Sequence, residues 1–260
     1  MTKLYTTQLQ AGLGLIEETR LLFSLWQPGM KSSELYQVAL DSGYFPNVSA
    51  RRLRNIVAEC FAPRFLAQES IPAFLVKTLL PTLTHSEFNQ LLFLYTARAN
   101  KILADFVTEV YWDRYSRGHD YINSDDAKEF VKIANQEGKT GKFWSESTIR
   151  RVSAYLSGCC SDFGMLENGR KSNREIRSFR IEPKIIIFLA YDLHFSGLGD
   201  NSVISHSDWS LFGLQKEDAR YELKRLSLKG YFIFQSVGDV THMSWKYKTW
   251  EDLLDVIAKE

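Results

Sequence analysis

The chain has 260 residues, 45% hydrophobic and 24% charged, the composition of a globular protein with one large domain or a few small ones rather than a disordered chain. A net charge of +1 excludes a uniformly basic protein, and three cysteines without a CxxC pair exclude a disulfide framework and a zinc ribbon. Cys60, Cys159 and Cys160 therefore read as reduced thiols packed as small apolar side chains, which places the chain in the cytoplasm. Met1–Gln10 lacks the pattern of a signal peptide. The longest apolar run, Ile185–Tyr191, falls far short of the ~20 residues that span a bilayer, so no membrane partner is expected.

Taken in chain order, Leu9, Leu13, Ile16, Leu21, Leu22 and Leu25 predict a helix over 9–26, closed by Pro28-Gly29. A second helix starts at Ser32 or Ser33, turns Leu35, Val38 and Ala39 inward, and stops at Gly43. Ser49 caps a third, with Leu53, Ile56, Val57 and Cys60 inward and Pro63 as its end. Helix, short turn and capped basic helix form a helix-turn-helix layout, in which Arg51, Arg52 and Arg54 occupy the turns that meet DNA. After a short helix between Pro72 and Pro81, residues 86–115 read as one long, strongly apolar helix ended by Gly118.

Residues 124–182 read as a winged helix. Ser124-Asp125-Asp126 opens a helix running to Gln136, and a loop with Lys139 and Lys142 follows. Ser145 opens the next helix, with Arg150 and Arg151 outward, and strands at 163–166 and through Ile176, Phe179 and Ile181 flank a basic wing. That wing carries Arg170, Lys171, Arg174, Arg177 and Arg180. The pattern recurs at 185–248: helix Lys184–Phe195, a loop at Gly197–Ser202, helices Asp208–Leu214 and Lys216–Leu228, then a hairpin turning at Gly238-Asp239. This second wing is not basic, and its exposed helix mixes Glu217, Asp218 and Glu222 with Arg220, Lys224 and Arg225. The expected fold is mainly α with small β-hairpins: a helix-turn-helix bundle (1–83), a long connecting helix (84–118) and two winged-helix units (119–184 and 185–260).

Positive charge is concentrated. Residues 43–64 hold four arginines against one glutamate, and residues 138–184 hold ten cations against five acids. Such patches are the electrostatic footprint of nucleic-acid contact. The expected DNA-binding residues are Arg51, Arg52, Arg54, Lys139, Lys142, Arg150, Arg151, Arg170, Lys171, Arg174 and Arg177. Catalytic motifs are absent: no Walker loop, GxGxxG, HExxH, GxSxG or EF-hand pattern occurs. The five histidines have no metal-ligand spacing, and the glycine pairs Gly12/Gly14 and Gly197/Gly199 lack a dinucleotide-site context. Glu222-Leu-Lys224 lacks the partner acid of a nuclease site, and the stripe Asp105, Glu109, Asp113 reads as a solvated or partner-facing helix face. No enzyme activity, cofactor, metal or small-molecule substrate is expected.

The runs LIEETRLLFSLW at 15–26 and SGYFPNVSARRLRNIVAECFAPRFL at 42–66 resemble the BrxA family of bacteriophage-exclusion (BREX) phage-defence systems. The resemblance implies a small cytoplasmic DNA-binding accessory protein, encoded beside a methyltransferase, a phosphatase-like protein and an ATPase, with other BREX proteins as partners. It assigns no catalytic motif and does not say which basic residues touch DNA. The leading expectation is double-stranded DNA binding; the alternatives are a structural adaptor whose winged helices contact proteins, or an RNA-binding helical protein.

Overall fold

The computed structural model describes residues 4–8, 14–169, 171–238 and 240–259. Leu9, Leu13, Gly12, Arg170 and Asp239, all used above, lie outside the described residues. Helices dominate, with two small antiparallel ladders.

The helices open with α1 (Ile16–Leu25) and α2 (Ser32–Asp41). Leu35 and Ala39, one turn apart, form the inner line of α2, so Val38, expected inward, stands on its flank and is exposed. In α3 (Ala50–Asn55) the Ser49 hydroxyl accepts from the N–H of Arg52, the expected N-cap. Pro63 does not end this helix. The chain widens into a π-helical stretch, Ile56–Phe61, where the N–H of Ala62 donates to the carbonyl of Val57, five residues back. Pro63, with no N–H to satisfy, then sits in the first turn of α4 (Ala62–Phe65). The inward side chains Leu53, Ile56, Val57 and Cys60 are buried as expected.

Next come α5 (Ile71–Leu79) and α6 (His85–Ala99). The single helix expected over 86–115 is broken at Asn100, whose φ of −127° and ψ of 89° are not helical. Its buried Nδ2 donates to the Thr96 carbonyl, so the break is internally satisfied. The chain resumes as α7 (Lys101–Phe106), a π-helical stretch at Val107–Tyr111 and α8 (Trp112–Ser116).

By packing, the chain falls into two compact units: Met1–Lys77 with Leu92–Phe179, and Thr78–Leu91 with Arg180–Glu260. In the first unit, Phe23, Phe61, Phe65 and Tyr95 form an aromatic cluster, with Phe65 4.9 Å from Phe23, 5.1 Å from Phe61 and 5.6 Å from Tyr95 by ring centroid. The unit also holds β1 (Tyr121–Asn123), α9 (Ser124–Gln136), α10 (Glu146–Asp162) and β2 (Asn173–Glu175). All three cysteines, Cys60 at the π turn and Cys159 and Cys160 on α10, are buried and free.

The pairing of this ladder differs from the expected hairpin. β2 pairs with β1, some fifty residues earlier, in the register Tyr121↔Glu175 and Asn123↔Asn173. On its other side only one bridge forms, Leu166↔Ile176, flanked by N–H donation from Glu167 to Glu175 and from Arg177 to Met165. Phe179 and Ile181, expected as strand residues, lie beyond the ladder and are buried. The order β1, α9, α10, then a strand β2 that docks back on β1, is winged-helix-like.

The second unit contains α11 (Pro183–Phe195), α12 (Asp200–Ile204), α13 (Asp208–Leu211), α14 (Lys216–Ser227), the hairpin β3 (Phe232–Val237) and β4 (Val240–Trp245), and α15 (Trp250–Ile257). The hairpin forms as expected, from Phe232↔Trp245 to Val237↔Val240. The expected loop at Gly197–Ser202 instead feeds α12. The Asn201 side chain accepts from the Thr241 N–H, and Asp200 accepts from the Met243 N–H and the Trp245 indole, which occupies one edge of β4.

His194 stacks on Trp245 at 4.2 Å and 8° between planes. Burial pushes its imidazole below the ordinary 6.5, against a weaker pull from Asp200. The folded state therefore binds this proton less readily than the unfolded chain does. Its contribution to stability is present above about pH 6.5 and falls as the pH drops through that value and the lowered folded one. Urea titrations at pH 7.5 and 5.5 should show a smaller loss on acidification in His194→Phe than in wild type. An equal loss in both would clear His194 of the effect.

Candidate nucleic-acid interface

The loop between α9 and α10 is held from below. Buried Asn135 donates through Nδ2 to the Trp144 carbonyl, and its Oδ1 accepts from the Trp144 N–H and the Thr140 hydroxyl. The Thr140 hydroxyl is also within 3.0 Å of the Lys142 carbonyl, and Tyr5 N–H donates to the Lys139 carbonyl. Gly138 and Gly141 take positive φ of 74° and 68°, which the tight reversal demands. This hydrogen-bonded loop presents Lys142 and Phe143 to solvent, and Phe143 is 80% exposed. The sequence reading missed Phe143. No sequence signal separates it from the adjacent Trp144, which lies in the same stretch between Lys142 and the Ser145 cap and is buried.

Ser145 caps α10 by accepting from the Thr148 N–H. Ile149, Val152 and Leu156 turn inward, so Arg150 and Arg151 face out and are exposed. On the wing, Lys171 is exposed but bonds Glu167 at 2.8 Å. The pair shows in both partners: Glu167 lies below the ordinary carboxylate range and Lys171 above the ordinary lysine value, each chiefly because of that hydrogen bond. Lys139 is similarly bound to Glu137 at 3.0 Å and raised by it. Arg174 is half-buried and Arg177 exposed, with the Arg177 carbonyl accepting from the Tyr111 hydroxyl at 2.6 Å. Arg180 belongs to the second unit and reaches Glu222 at 3.7 Å.

The structure brings three of the expected residues together. Arg150 from α10, and Lys171 and Arg174 from the wing, line one cleft of about 450 Å³. The sequence reading missed a fourth cation there, Lys128 of α9, which bonds Glu146 at 3.0 Å and holds that carboxyl below its usual range. The helix-turn-helix arginines lie on α3 of the same compact unit but do not line this cleft. Arg51 is exposed, Arg52 half-buried, and Arg54 lies 5.2 Å over the Tyr36 ring. Arg170 lies outside the described residues.

In the second unit two arginines of the comparable helix are paired within it. Arg225 bonds Glu222 at 2.6 Å, which accounts for Glu222 of the ExK-like triplet, and Arg220 bonds Glu217 at 3.1 Å. The acidic stripe of α7 and α8 is also engaged: Asp105 accepts from the Tyr5 hydroxyl at 2.6 Å and pairs with Lys101, and Asp113 pairs with Arg117 at 2.9 Å. Among the described residues no group of three or more His, Cys, Asp or Glu side chains is arranged to hold a metal ion, and no helix is long and apolar enough to cross a membrane.

The family model BrxA matches residues 3–192. Among solved structures, the crystal structure of an uncharacterized protein from Magnetospirillum magneticum is similar, with a TM-score of 0.57 at 14% identity, over 74% of this chain and 94% of that one. At that identity the likeness is one of fold alone. No curated protein matches the chain.

Proposed function

We infer from one fact, that this chain belongs to the BrxA family of BREX phage-defence proteins, and from its basic wing, that it is a non-enzymatic accessory protein that binds double-stranded DNA in the cytoplasm. The observation that carries the DNA reading is the meeting of wing and helix cations, Arg150, Lys171 and Arg174 around one cleft, with Arg151 exposed on the same helix and Lys142 exposed on the loop before it. In a winged helix the second helix enters the major groove while the wing lies over the neighbouring backbone. Cations at both places meet phosphate. Such contacts position the protein with little regard to sequence.

Binding then weakens steeply with salt. With four to six phosphate contacts, log K should fall against log salt with a slope of roughly −4 to −5. Fluorescence anisotropy with duplex DNA, duplex RNA and single strands at several salt concentrations measures it. A slope near zero, or duplex RNA preferred over duplex DNA, rejects the reading.

The second unit supports a different role. Two of its helix cations, Arg220 and Arg225, are paired within the helix, and its hairpin exposes Ile233, Val237 and Val240 at 62%, 85% and 65%. An exposed apolar hairpin suits contact with another BREX protein better than contact with phosphate.

A further inference from the structure

The cleft between the wing, α9 and α10 is larger than contact with a phosphate backbone requires. A backbone phosphate lies across a flat basic surface as readily as in a cavity. At about 450 Å³ the cleft falls within the roughly 300–1,000 Å³ of small-molecule sites. Buried Ile122 forms part of its floor and Ala154 of α10 part of its wall, so apolar surface stands beside the charge. Four cations, Arg150, Arg174, Lys128 and Lys171, face one lining carboxylate, Asp125.

These cations are not equivalent. Lys128 and Lys171 are held by Glu146 and Glu167. Arg150 and Arg174 have no ion-pair partner among the described residues. Two guanidinium groups from different elements, one on a helix and one on a strand, supply the planar forked donors that suit phosphate oxygens. The backbone of α9 adds little, since the Asn123 side chain already accepts from the N–H groups of Asp125 and Asp126, and Ser124 N–H donates to the Ser172 carbonyl. The attraction for an anion therefore resides in side chains.

We propose that this cleft binds a single nucleotide unit, with the phosphate between Arg150 and Arg174 and the sugar and base against the Ile122–Ala154 wall. Where that unit belongs to a DNA chain the proposal rests on the reading above; where it is a free nucleotide it stands without it. It adds a small-molecule ligand to a chain for which no small-molecule substrate is expected.

The test uses the full chain, a fluorescently labelled AMP as probe, unlabelled 20-base-pair duplex as competitor, and the Arg150→Gln/Arg174→Gln variant, with thermal unfolding confirming its fold. Labelled AMP should bind with Kd below about 1 mM, and the double variant should bind at least ~10-fold more weakly. Displacement of the label by duplex identifies the DNA chain as an occupant, and binding that duplex leaves intact identifies free nucleotide. If AMP does not bind up to ~10 mM but the variant loses at least ~10-fold in duplex affinity, Arg150 and Arg174 act as ordinary backbone-phosphate contacts, and the nucleotide-unit proposal is overturned while the DNA reading stands. No AMP binding up to ~10 mM, with duplex affinity of the variant within about twofold of wild type, overturns the proposal and leaves DNA binding to the other basic residues. Lys216→Gln, an exposed position on α14 of the second unit, should leave AMP binding unchanged. A loss there equal to that of the double variant also overturns the proposal.

Discussion

Replacing Lys171 and Arg174 by glutamate should weaken duplex DNA binding by roughly 100-fold at low salt, evenly across sequences, and reduce the salt slope by about 2. Both side chains lie on the wing that docks on β1, and both line the basic cleft. Reversal removes two cations from the proposed phosphate path and places two anions in it. The Glu167 carboxylate, now paired with Lys171, would be left facing a second glutamate. Adding Arg170→Glu extends the series. The comparison set is Lys224→Glu with Arg225→Glu on α14, where Arg225 is already tied to Glu222. That set should change affinity by less than about threefold. Anisotropy titrations on two unrelated duplexes distinguish the sets, and equal losses from both would mean that the DNA face lies on the wrong unit.

Phe65→Ala should cost about 3–5 kcal/mol of stability. Its ring is fully buried and packs on Phe23, Phe61 and Tyr95, so its removal opens a void that Phe23 and Phe61 cannot fill without disturbing their own edge-to-face contact. Phe61 and Phe65 stand on the π-helical stretch and on α4, directly after the arginines of α3. The loss therefore falls on the helix-turn-helix, and the Tm should drop by roughly 10 °C. Leu228→Ala, at a position 89% exposed, should change stability by less than about 0.5 kcal/mol. Differential scanning fluorimetry compares them, and a Phe65→Ala protein that melts with wild type would show the cluster to be slack.

Much of the fold was legible because its signals are local. Ser49 and Ser145 announce helix starts by what a hydroxyl does for unpaired N–H groups, and both are N-caps in the structure. Helical periodicity identified Leu53, Ile56, Val57 and Cys60, and also Ile149, Val152 and Leu156, all buried. What escaped depends on distant partners or on small backbone adjustments. Nothing near Tyr121 says that it pairs with a strand fifty residues on, since β-pairing is fixed by tertiary context. Pro63 was read as a stop because the rule assumes an α-helix, and a π turn relaxes that rule. Asn100 breaks a long apolar pattern without a glycine or proline to mark it. At the candidate interface, outward arginines followed from periodicity. The convergence of Arg150 with Arg174, and the presence of Lys128, did not, because they meet only once β2 has docked on β1.

The placement of the cysteines has a consequence for measurement. Burial raises the Cys60 thiol, takes Cys159 up to about 12 and raises Cys160 as well, so at neutral pH none offers a thiolate to a reagent. Cys60 belongs to the helical run that begins with the α3 arginines, while Cys159 and Cys160 belong to the helix that carries Arg150 and Arg151. Alkylation must wait for one of these two helices to breathe, so the labelling rate is a built-in clock of local opening at the elements that carry the exposed arginines. Following that clock requires no engineered probe, because the chain's three native thiols are the only ones it has.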